Sequence, residues 1–247
     1  MYRKTEGIVL REVQYRDSDK LLTVLTRDFG RITVAARGAK RSGGRLFGAC
    51  QLLAYSEFTL LERQGRLTVT EATPLELFPE LRDDLELLSL ASYFAQVAET
   101  LAPEDDPFSP VLPLLLNSLF ALARLHLEQA LVKAAFEFRI VCLSGFEPDL
   151  CGCAACGGET PTFFNISQGT LLCADCARES SDGIRMPLSP ASLAALRYIA
   201  YADPKRLFSF RLSGAALRET GNIAESYLCT RLERGFSTLD FYKSLFI

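Results

Sequence analysis

Four cysteines carry the most distinctive chemistry of this chain, because they form two C-x-x-C pairs separated by sixteen residues. Two residues between cysteines let both sulfurs of a tight turn face one ion, and two such turns supply the four thiolates that Zn²⁺ prefers. Four thiolates leave no coordination position for water, so the pattern predicts one structural Zn²⁺ ion and not a catalytic one. The predicted ligands are Cys153, Cys156, Cys173 and Cys176.

A further cysteine complicates the first pair, since Cys151 places a third thiol beside Cys153 and Cys156. We assign Cys153 and Cys156 because their separation equals that of the second pair, and whether Cys151 replaces one of them stays open. The remaining cysteines lie singly in apolar stretches and are expected to pack as small hydrophobic side chains. They are Cys50, Cys142 and Cys229.

The length and composition predict a soluble protein of a reducing compartment. A chain of 247 residues that is 49% hydrophobic and 23% charged can bury a core without disulfides. No apolar leader precedes Arg3, and no apolar run approaches the length of a membrane span. We therefore expect a cytoplasmic protein that does not bind membranes.

The charge is distributed unevenly, although the formal net charge is only −3. Residues 81–150 hold 4 basic and 11 acidic side chains, whereas no acidic residue lies between Asp28 and Glu57. The glycine-containing loop 38–45 within that stretch is typical of phosphate binding. An ordinary solvated loop, whose cations prevent strand edges from aggregating, remains an alternative. The cations of the acid-free stretch are Arg31, Arg37, Lys40, Arg41 and Arg45.

The first 79 residues are predicted to form a small antiparallel barrel. Alternating apolar residues flank the turn Asp28-Phe29-Gly30, which indicates a hairpin. In its second strand, alternation places Arg31 and Arg37 on the face opposite to Val34. Five short strands suit an OB-fold barrel, although an SH3-like barrel fits the pattern nearly as well. The predicted strands span residues 6–13, 20–27, 31–37, 51–62 and 66–72.

Residues beyond 79 are predicted to be helical, with the cysteine pairs inserted. Asp83 and Asp84 precede a run with helical apolar spacing and can cap it. The fold class is therefore α+β and multidomain: an N-terminal OB-fold barrel at 1–79, an all-α domain at 80–150 and 178–247, and a zinc module at 151–177. Further helices are predicted at 109–125, 127–142, 189–201 and 214–234.

The sequence contains few groups suited to catalysis. Its single histidine, His126, lies among leucines and is expected to be a helix residue, and no G-x-x-x-x-G-K-[ST] phosphate loop is present. Acidic pairs such as Asp17 and Asp19 could hold Mg²⁺ in a nuclease, but turn formation and helix capping explain them. We predict no catalytic residue, no small-molecule substrate and no enzymatic activity.

Several segments taken together resemble the RecO family of bacterial recombination mediators. They are Thr5-Glu-Gly-Ile-Val-Leu10, Val34-Ala-Ala-Arg-Gly-Ala-Lys-Arg41, Leu75, Gly145-Phe-Glu-Pro-Asp-Leu150, Gly169-Thr-Leu-Leu-Cys-Ala-Asp-Cys176 and Glu233-Arg-Gly-Phe-Ser-Thr-Leu-Asp-Phe241. The resemblance covers essentially the whole chain. It implies an OB-fold, a helical domain with a zinc module, and a nucleoid-associated protein that binds single- and double-stranded DNA and anneals complementary strands. It also implies work with the RecR partner, to load recombinase onto strands coated by single-strand binding protein.

The resemblance implies that the acid-free stretch between Asp28 and Glu57 contributes to a DNA-binding surface. Its five cations, joined by two across the last hairpin, would hold phosphates of two strands and lower the repulsion that opposes annealing. An alternative from another class is a zinc-containing protein-interaction scaffold whose barrel never touches DNA. The predicted DNA-binding residues are Arg31, Arg37, Lys40, Arg41, Arg45, Arg63 and Arg66.

Overall fold

A computed structural model describes residues 1–15, 17–179 and 183–246. The chain divides into two compact units, and the second is inserted into the first. The domain boundaries predicted from the sequence stay a prediction. The first unit consists of Met1–Arg124 with Phe236–Ile247, and the second of Leu125–Gly235.

The first unit contains a closed five-stranded barrel with the strand order β1-β2-β3-β5-β4. Neighbouring strands pair antiparallel except β3 and β5, which are parallel, and β4 closes the barrel by pairing with β1. A five-stranded closed barrel of this order is the OB-type architecture, so this part of the predicted fold class is confirmed. The strands are β1 (Tyr2–Gln14), β2 (Lys20–Thr26), β3 (Gly30–Ala36), β4 (Tyr55–Arg63) and β5 (Arg66–Glu76).

The barrel core follows the alternation of the strands. Leu22 and Val34 face inward from β2 and β3, where they meet Phe58 of β4 and Val69 of β5, all buried. The β2–β3 turn requires glycine at position 30, since its φ is +61° and a Cβ there would lie 2.6 Å from the backbone nitrogen of Asp106, which lies outside the barrel strands. The barrel therefore presents its second, outward-facing set of side chains to the helices of the first unit or to solvent.

Helices make up most of the remaining described residues. Asp84 caps α2 through hydrogen bonds accepted from the Glu86 and Leu87 N–H groups. None of the helices in the described ranges combines the length and apolarity needed to cross a membrane. The helices are α1 (Pro79–Arg82), α2 (Leu85–Leu101), α3 (Val111–Ala123), α4 (Gln129–Leu143), α5 (Ala174–Glu179), α6 (Pro190–Tyr201), α7 (Gly214–Leu232) and α8 (Ser237–Ser244).

The second unit packs α4, α6 and α7 with a small sheet of order β7-β6-β8. The ring of Phe164 in this sheet lies 6.3 Å from that of Phe138 in α4 and 5.3 Å from that of Tyr227 in α7. These edge-to-face contacts join the cysteine-containing segment to the helices. The strands of the sheet are β6 (Phe163–Asn165), β7 (Thr170–Leu172) and β8 (Arg185–Pro187).

Two local predictions were wrong. The fourth strand begins at Tyr55 and not at residue 51, because residues 51–54 form a turn in which Leu53 has a φ of +64°. His126 lies outside the helices, in the connection before α4, and has a φ of +48°. Apolar neighbours produced a periodic signal in both segments, although each contains a left-handed residue that regular structure excludes.

Candidate metal centre and candidate nucleic-acid interface

The structure brings together the four cysteines that the sequence predicts as metal ligands. Their sulfur atoms all lie within 4.8 Å of one another, and the sulfurs of Cys156 and Cys173 are 3.8 Å apart. Tetrahedral coordination with Zn–S bonds of about 2.3 Å requires sulfur–sulfur distances of about 3.8 Å. The cluster therefore has the donor set and the dimensions of a tetrathiolate metal site. It consists of Cys153, Cys156, Cys173 and Cys176.

Backbone hydrogen bonds hold the two cysteine turns together. In the first turn, the Gly157 N–H donates to the Cys153 carbonyl at 2.8 Å, and Gly157 has a φ of +73° that favours glycine. The Ala154 N–H donates to the Leu171 carbonyl at 2.8 Å, which joins the first turn to the strand before the second. Helix α5 begins at Ala174 and carries Cys176 in its first turn, so both pairs face one point.

Neighbouring groups shift the pKa values of Cys153 and Cys176 in opposite directions. Burial opposes ionisation of Cys153, but hydrogen bonds from backbone N–H groups, with that of Cys173 the largest, lower its pKa to about 6. The pKa of Cys176 is raised, first by hydrogen bonding with Cys173 and then with Cys156 and Cys153. The Cys153 thiol therefore ionises readily, whereas the Cys176 thiol resists ionisation. A bound dication would stabilise all four thiolates together, so the donor chemistry fits a metal.

Arg197 of α6 fixes the chain just before the first turn. Its guanidinium donates to the Leu150 carbonyl at 2.9 and 2.7 Å and to the Cys151 carbonyl at 2.8 Å. Cys151 is exposed and does not belong to the sulfur cluster found among the described residues. Cys151 therefore contributes its backbone carbonyl, and not its thiol, to the contacts that hold this part of the chain.

Six of the seven predicted DNA-binding cations share one property. Arg37, Lys40, Arg41, Arg45, Arg63 and Arg66 are all exposed. Within the described residues, none of these six forms an ion pair with a carboxylate. Such cations are available to an anionic ligand.

The seventh cation, Arg31, is engaged within the protein. Its guanidinium donates to the Ala102 carbonyl at 3.1 Å and to the Glu104 carboxylate at 3.0 Å. Its side chain is 29% exposed. These contacts attach the segment after α2 to the barrel. The assignment of Arg31 to DNA binding stays a prediction, and the structure gives this side chain a structural role.

The basic loop after β3 is folded against the β1–β2 turn. The Gly38 N–H donates to the Asp19 carboxylate at 2.9 Å, and the Lys40 N–H donates to the Ser18 carbonyl at 3.1 Å. Gly44 is needed for the tight turn, because a Cβ there would lie 2.8 Å from the Arg41 carbonyl oxygen. The loop therefore holds its cations at one end of β3 by backbone contacts, without using their side chains.

A groove on the outer face of the barrel brings Arg37 and Arg66 together. It has a volume of about 460 Å³ and lies where β3 runs parallel to β5. In OB-folds this face, formed by strands 2 and 3 with the loops after strands 1 and 4, is the ligand-binding face. The groove is the candidate nucleic-acid interface. Its lining includes Tyr15, Asp19, Leu21, Ala35, Arg37 and Arg66.

The sequence analysis did not select Tyr15 or Leu21. Tyr15 is 55% exposed at the end of β1 and lines the groove. An aromatic residue two positions before the polar segment Asp17-Ser18-Asp19 is the signal that could have indicated it. Two aromatic residues of β4 lie outside this lining: Phe58 is 1% exposed in the barrel core, and the Tyr55 hydroxyl donates to Glu6 at 2.7 Å.

Two family profiles match the chain in sequence order. The profile described as Recombination protein O N terminal matches residues 1–78, and the profile described as Recombination protein O C terminal matches residues 82–240. The chain belongs to the RecO family. The first profile covers the barrel and the second covers the segment with the cysteine cluster, so both candidate sites lie within RecO segments.

Curated RecO proteins are similar to this chain over almost its full length. A DNA repair protein RecO from Acetivibrio thermocellus is 32% identical over 246 residues, covering 99% of this chain and 97% of the relative. A RecO from Desulforudis audaxviator is 37% identical over 245 residues, covering 98% and 96%. A RecO from Roseiflexus is 33% identical over 242 residues, covering 96% and 84%. The family predicted from the sequence is thereby confirmed.

Proposed function

We propose that this RecO protein is a DNA repair and recombination mediator that binds single- and double-stranded DNA through its barrel. It anneals complementary strands and, with RecR, helps to load recombinase onto strands coated by single-strand binding protein. Membership of the RecO family supports the role in DNA repair. The observation that carries DNA binding is the set of exposed cations beside the OB-type groove, with no carboxylate partner among the described residues.

The mechanism is electrostatic. Lysine and arginine side chains that neutralise phosphates release counterions, which gives an affinity that does not depend on sequence but falls with salt. Two strands held on one cationic surface repel each other less, so base pairing between them becomes faster. Such a reaction breaks no covalent bond and needs no nucleophile or general base. The cations that act here are Arg37, Lys40, Arg41, Arg45, Arg63 and Arg66, with Arg31 in a structural role.

The cysteine cluster has a different task in this proposal. Zn²⁺ bound by the four thiolates would cross-link the two turns and stabilise the surrounding fold. The segment 151–177 contains Glu159 and Asp175 but no lysine or arginine, so it is poorly suited to phosphate. We assign the metal a structural role. The acidic stretch 81–150 is similarly unsuited to DNA, and we propose that it contacts protein partners.

Annealing tests the proposal directly. Two complementary oligonucleotides, each labelled with one dye of a fluorescence-transfer pair, are mixed with the wild-type protein or with the K40A/R41A/R45A variant. The wild type should accelerate annealing, and the variant should lose most of the acceleration. A control variant, K205A/R206A/R218A, changes the net charge equally at exposed positions of the second unit and should behave as the wild type. Annealing at the protein-free rate with all three proteins would favour the protein-interaction scaffold, and equal acceleration by all three would remove the loop cations from the proposal.

A further inference from the structure

Helix α3 carries an apolar face that is exposed, although most residues of the helix are buried. Pro113, Leu116 and Phe120 follow helical spacing, and each is exposed or partly exposed. Phe108, which precedes the helix, is 70% exposed, and the segment 107–123 contains no charged residue. Contiguous apolar surface of this kind marks interaction sites. We call Phe108, Pro113, Leu116 and Phe120 the α3 face.

A cavity of about 300 Å³ opens at the start of the α3 face. Its apolar lining consists of Phe108, Leu112, Pro113 and Leu116, and residues of the barrel complete it. The Phe108 N–H donates to the Arg27 carbonyl at 2.7 Å, and Phe108 has a φ of +62°. A left-handed backbone is rare for an aromatic residue and costs free energy. The backbone thus holds an exposed ring at the rim of an apolar recess.

The barrel side of this cavity has an excess of carboxylates. An adjoining groove of about 290 Å³ shares part of the cavity lining. Its two cations, Lys4 and Arg27, each pair with a carboxylate of the same groove, at 2.9 and 3.7 Å. Asp28 also lines the groove and accepts the Thr5 hydroxyl at 2.7 Å. In the described part of the chain Asp28 forms no ion pair, so the groove has a net negative charge.

Both ends of the α3 face are acidic. At the first end, Asp105 and Asp106 directly precede Pro107 and pair with no cation among the residues that the structure describes. At the other end, one turn beyond Phe120, Arg124 bonds two carboxylates, those of Glu76 and Glu80. Electrostatic complementarity therefore favours a ligand that carries cations on either side of an apolar surface.

We propose that the α3 face docks a helix of a protein partner, with an apolar side chain in the cavity and lysine or arginine side chains at both acidic ends. This inference rests on the proposed function and deepens it, because it locates one of the protein contacts assigned to the stretch 81–150. Pro113 and Phe120 lie about 10 Å apart along the helix axis, which suits two turns of a docked amphipathic helix. The same negative charges repel DNA phosphates.

The first experiment offers the full-length wild type three labelled synthetic peptides of about 16 residues, long enough to form a helix. One has leucine and phenylalanine at helical spacing on one face and lysine elsewhere. The second replaces each lysine by glutamine, and the third replaces each leucine and phenylalanine by alanine. Fluorescence anisotropy should show that the first peptide binds at least about tenfold more tightly than either of the others. Equal affinity for all three would overturn the inference.

The second experiment locates the peptide on the protein. The face variant F108N/F120S should lose at least about tenfold in affinity for the lysine peptide, and asparagine tolerates the left-handed backbone at position 108. The control variant L85S/F241S changes two side chains of the same unit that are 59% and 51% exposed but line neither cavity nor groove. It should bind the peptide as the wild type does. Equal affinity of the two variants for the peptide contradicts the location.

The acidic ends are tested by removing charge alone. D105N/D106N should weaken binding of the lysine peptide about threefold to tenfold at low salt, and high salt should reduce the difference. E71Q/E159Q changes the net charge equally at exposed positions away from the face and should bind as the wild type. If the two variants bind the peptide equally, the carboxylates do not select the partner and the proposed chemistry is wrong.

A second copy of this chain is the competing occupant of the face. Sedimentation velocity over a concentration series should give the same result for the wild type and for F108N/F120S. Dimers of the wild type that F108N/F120S abolishes would place a second copy there and overturn the inference. DNA annealing separates the two proposals: if the wild type anneals DNA but does not prefer the lysine peptide, only this inference fails. If the peptide preference holds without annealing, the proposed DNA function fails instead.

Discussion

Arg31 of β3 and Glu104, which follows α2, form an ion pair in which Nη2 of Arg31 lies 3.0 Å from a carboxylate oxygen of Glu104. The backbone N–H of Arg31 also donates to the Pro103 carbonyl at 3.1 Å. The guanidinium thus links the barrel to the segment that leads into α3. Arg37, which follows β3, forms no ion pair within the described residues, and this difference separates a structural arginine from one available to DNA.

This difference predicts opposite effects for two alanine substitutions. Arg31→Ala should lower the free energy of unfolding by about 1 kcal/mol, because hydrogen bonds to Ala102 and Glu104 are lost, and should leave DNA affinity unchanged. Arg37→Ala should leave the melting temperature unchanged and reduce the salt dependence of DNA binding by about one phosphate contact. Thermal melting and fluorescence anisotropy measure the two quantities. Equal losses of DNA affinity in both variants would contradict the distinction.

Removing the groove carboxylate should strengthen DNA binding. In Asp19→Asn the amide oxygen can still accept the Gly38 N–H, but the negative charge beside Arg37 and Arg66 is gone. We expect affinity for single-stranded DNA to rise about twofold to fivefold at low salt, equivalent to roughly 0.5–1 kcal/mol. Glu71→Gln changes the net charge equally at an exposed position outside the groove. If both variants gain the same affinity, the groove is not the binding surface.

The cysteine cluster predicts which thiols hold metal. The wild type and Cys151→Ser should each contain one zinc ion per chain by elemental analysis, whereas Cys173→Ser should contain little. Because structural zinc contributes roughly 10–16 kcal/mol in small isolated modules, chelation should lower the melting temperature of the wild type and of Cys151→Ser. Metal retained in Cys173→Ser but lost from Cys151→Ser would show that a different set of thiols coordinates the ion.

Arg197 should act as a positioning residue for the metal. Its guanidinium donates to the carbonyls of Leu150 and Cys151, and Cys151 lies two residues before the first ligand, Cys153. Loss of groups that orient metal ligands typically weakens metal binding about 10–100-fold. Arg197→Ala should therefore release zinc to a chromogenic chelator at least about tenfold faster than the wild type, whereas Arg206→Ala, at an exposed position, should not. Release at the wild-type rate from Arg197→Ala would count against the positioning role.

Local patterns made the main elements predictable from the sequence. Alternation around Asp28-Phe29-Gly30 was enough to place β2 and β3, and the acidic pair Asp83-Asp84 marked the start of α2. The two cysteine pairs were recognisable because metal chemistry requires a fixed spacing within each pair. Each of these signals lies within a few residues of the structure it specifies.

Features that depend on distant residues were not predictable in this way. The partner of Arg31 lies 73 positions away in the chain, and the groove exists because β3 pairs with β5 through long-range contacts. The sequence pattern of Leu21 is that of any strand residue, and only the pairing of β2 with β3 shows that it lies beside Ala35 in the groove. The strands β6, β7 and β8 have three residues each, too few for a periodic signal.

The central claim is that cations on the barrel bind DNA phosphates, and the salt dependence of binding tests it most directly. The measurement is the affinity of the wild type and of K40A/R41A/R45A for a fluorescent single strand across a salt series. The account predicts a steep fall in affinity with salt for the wild type and a slope smaller by about two for the variant, since each phosphate contact contributes about 0.7. Identical slopes for the two proteins would contradict the account.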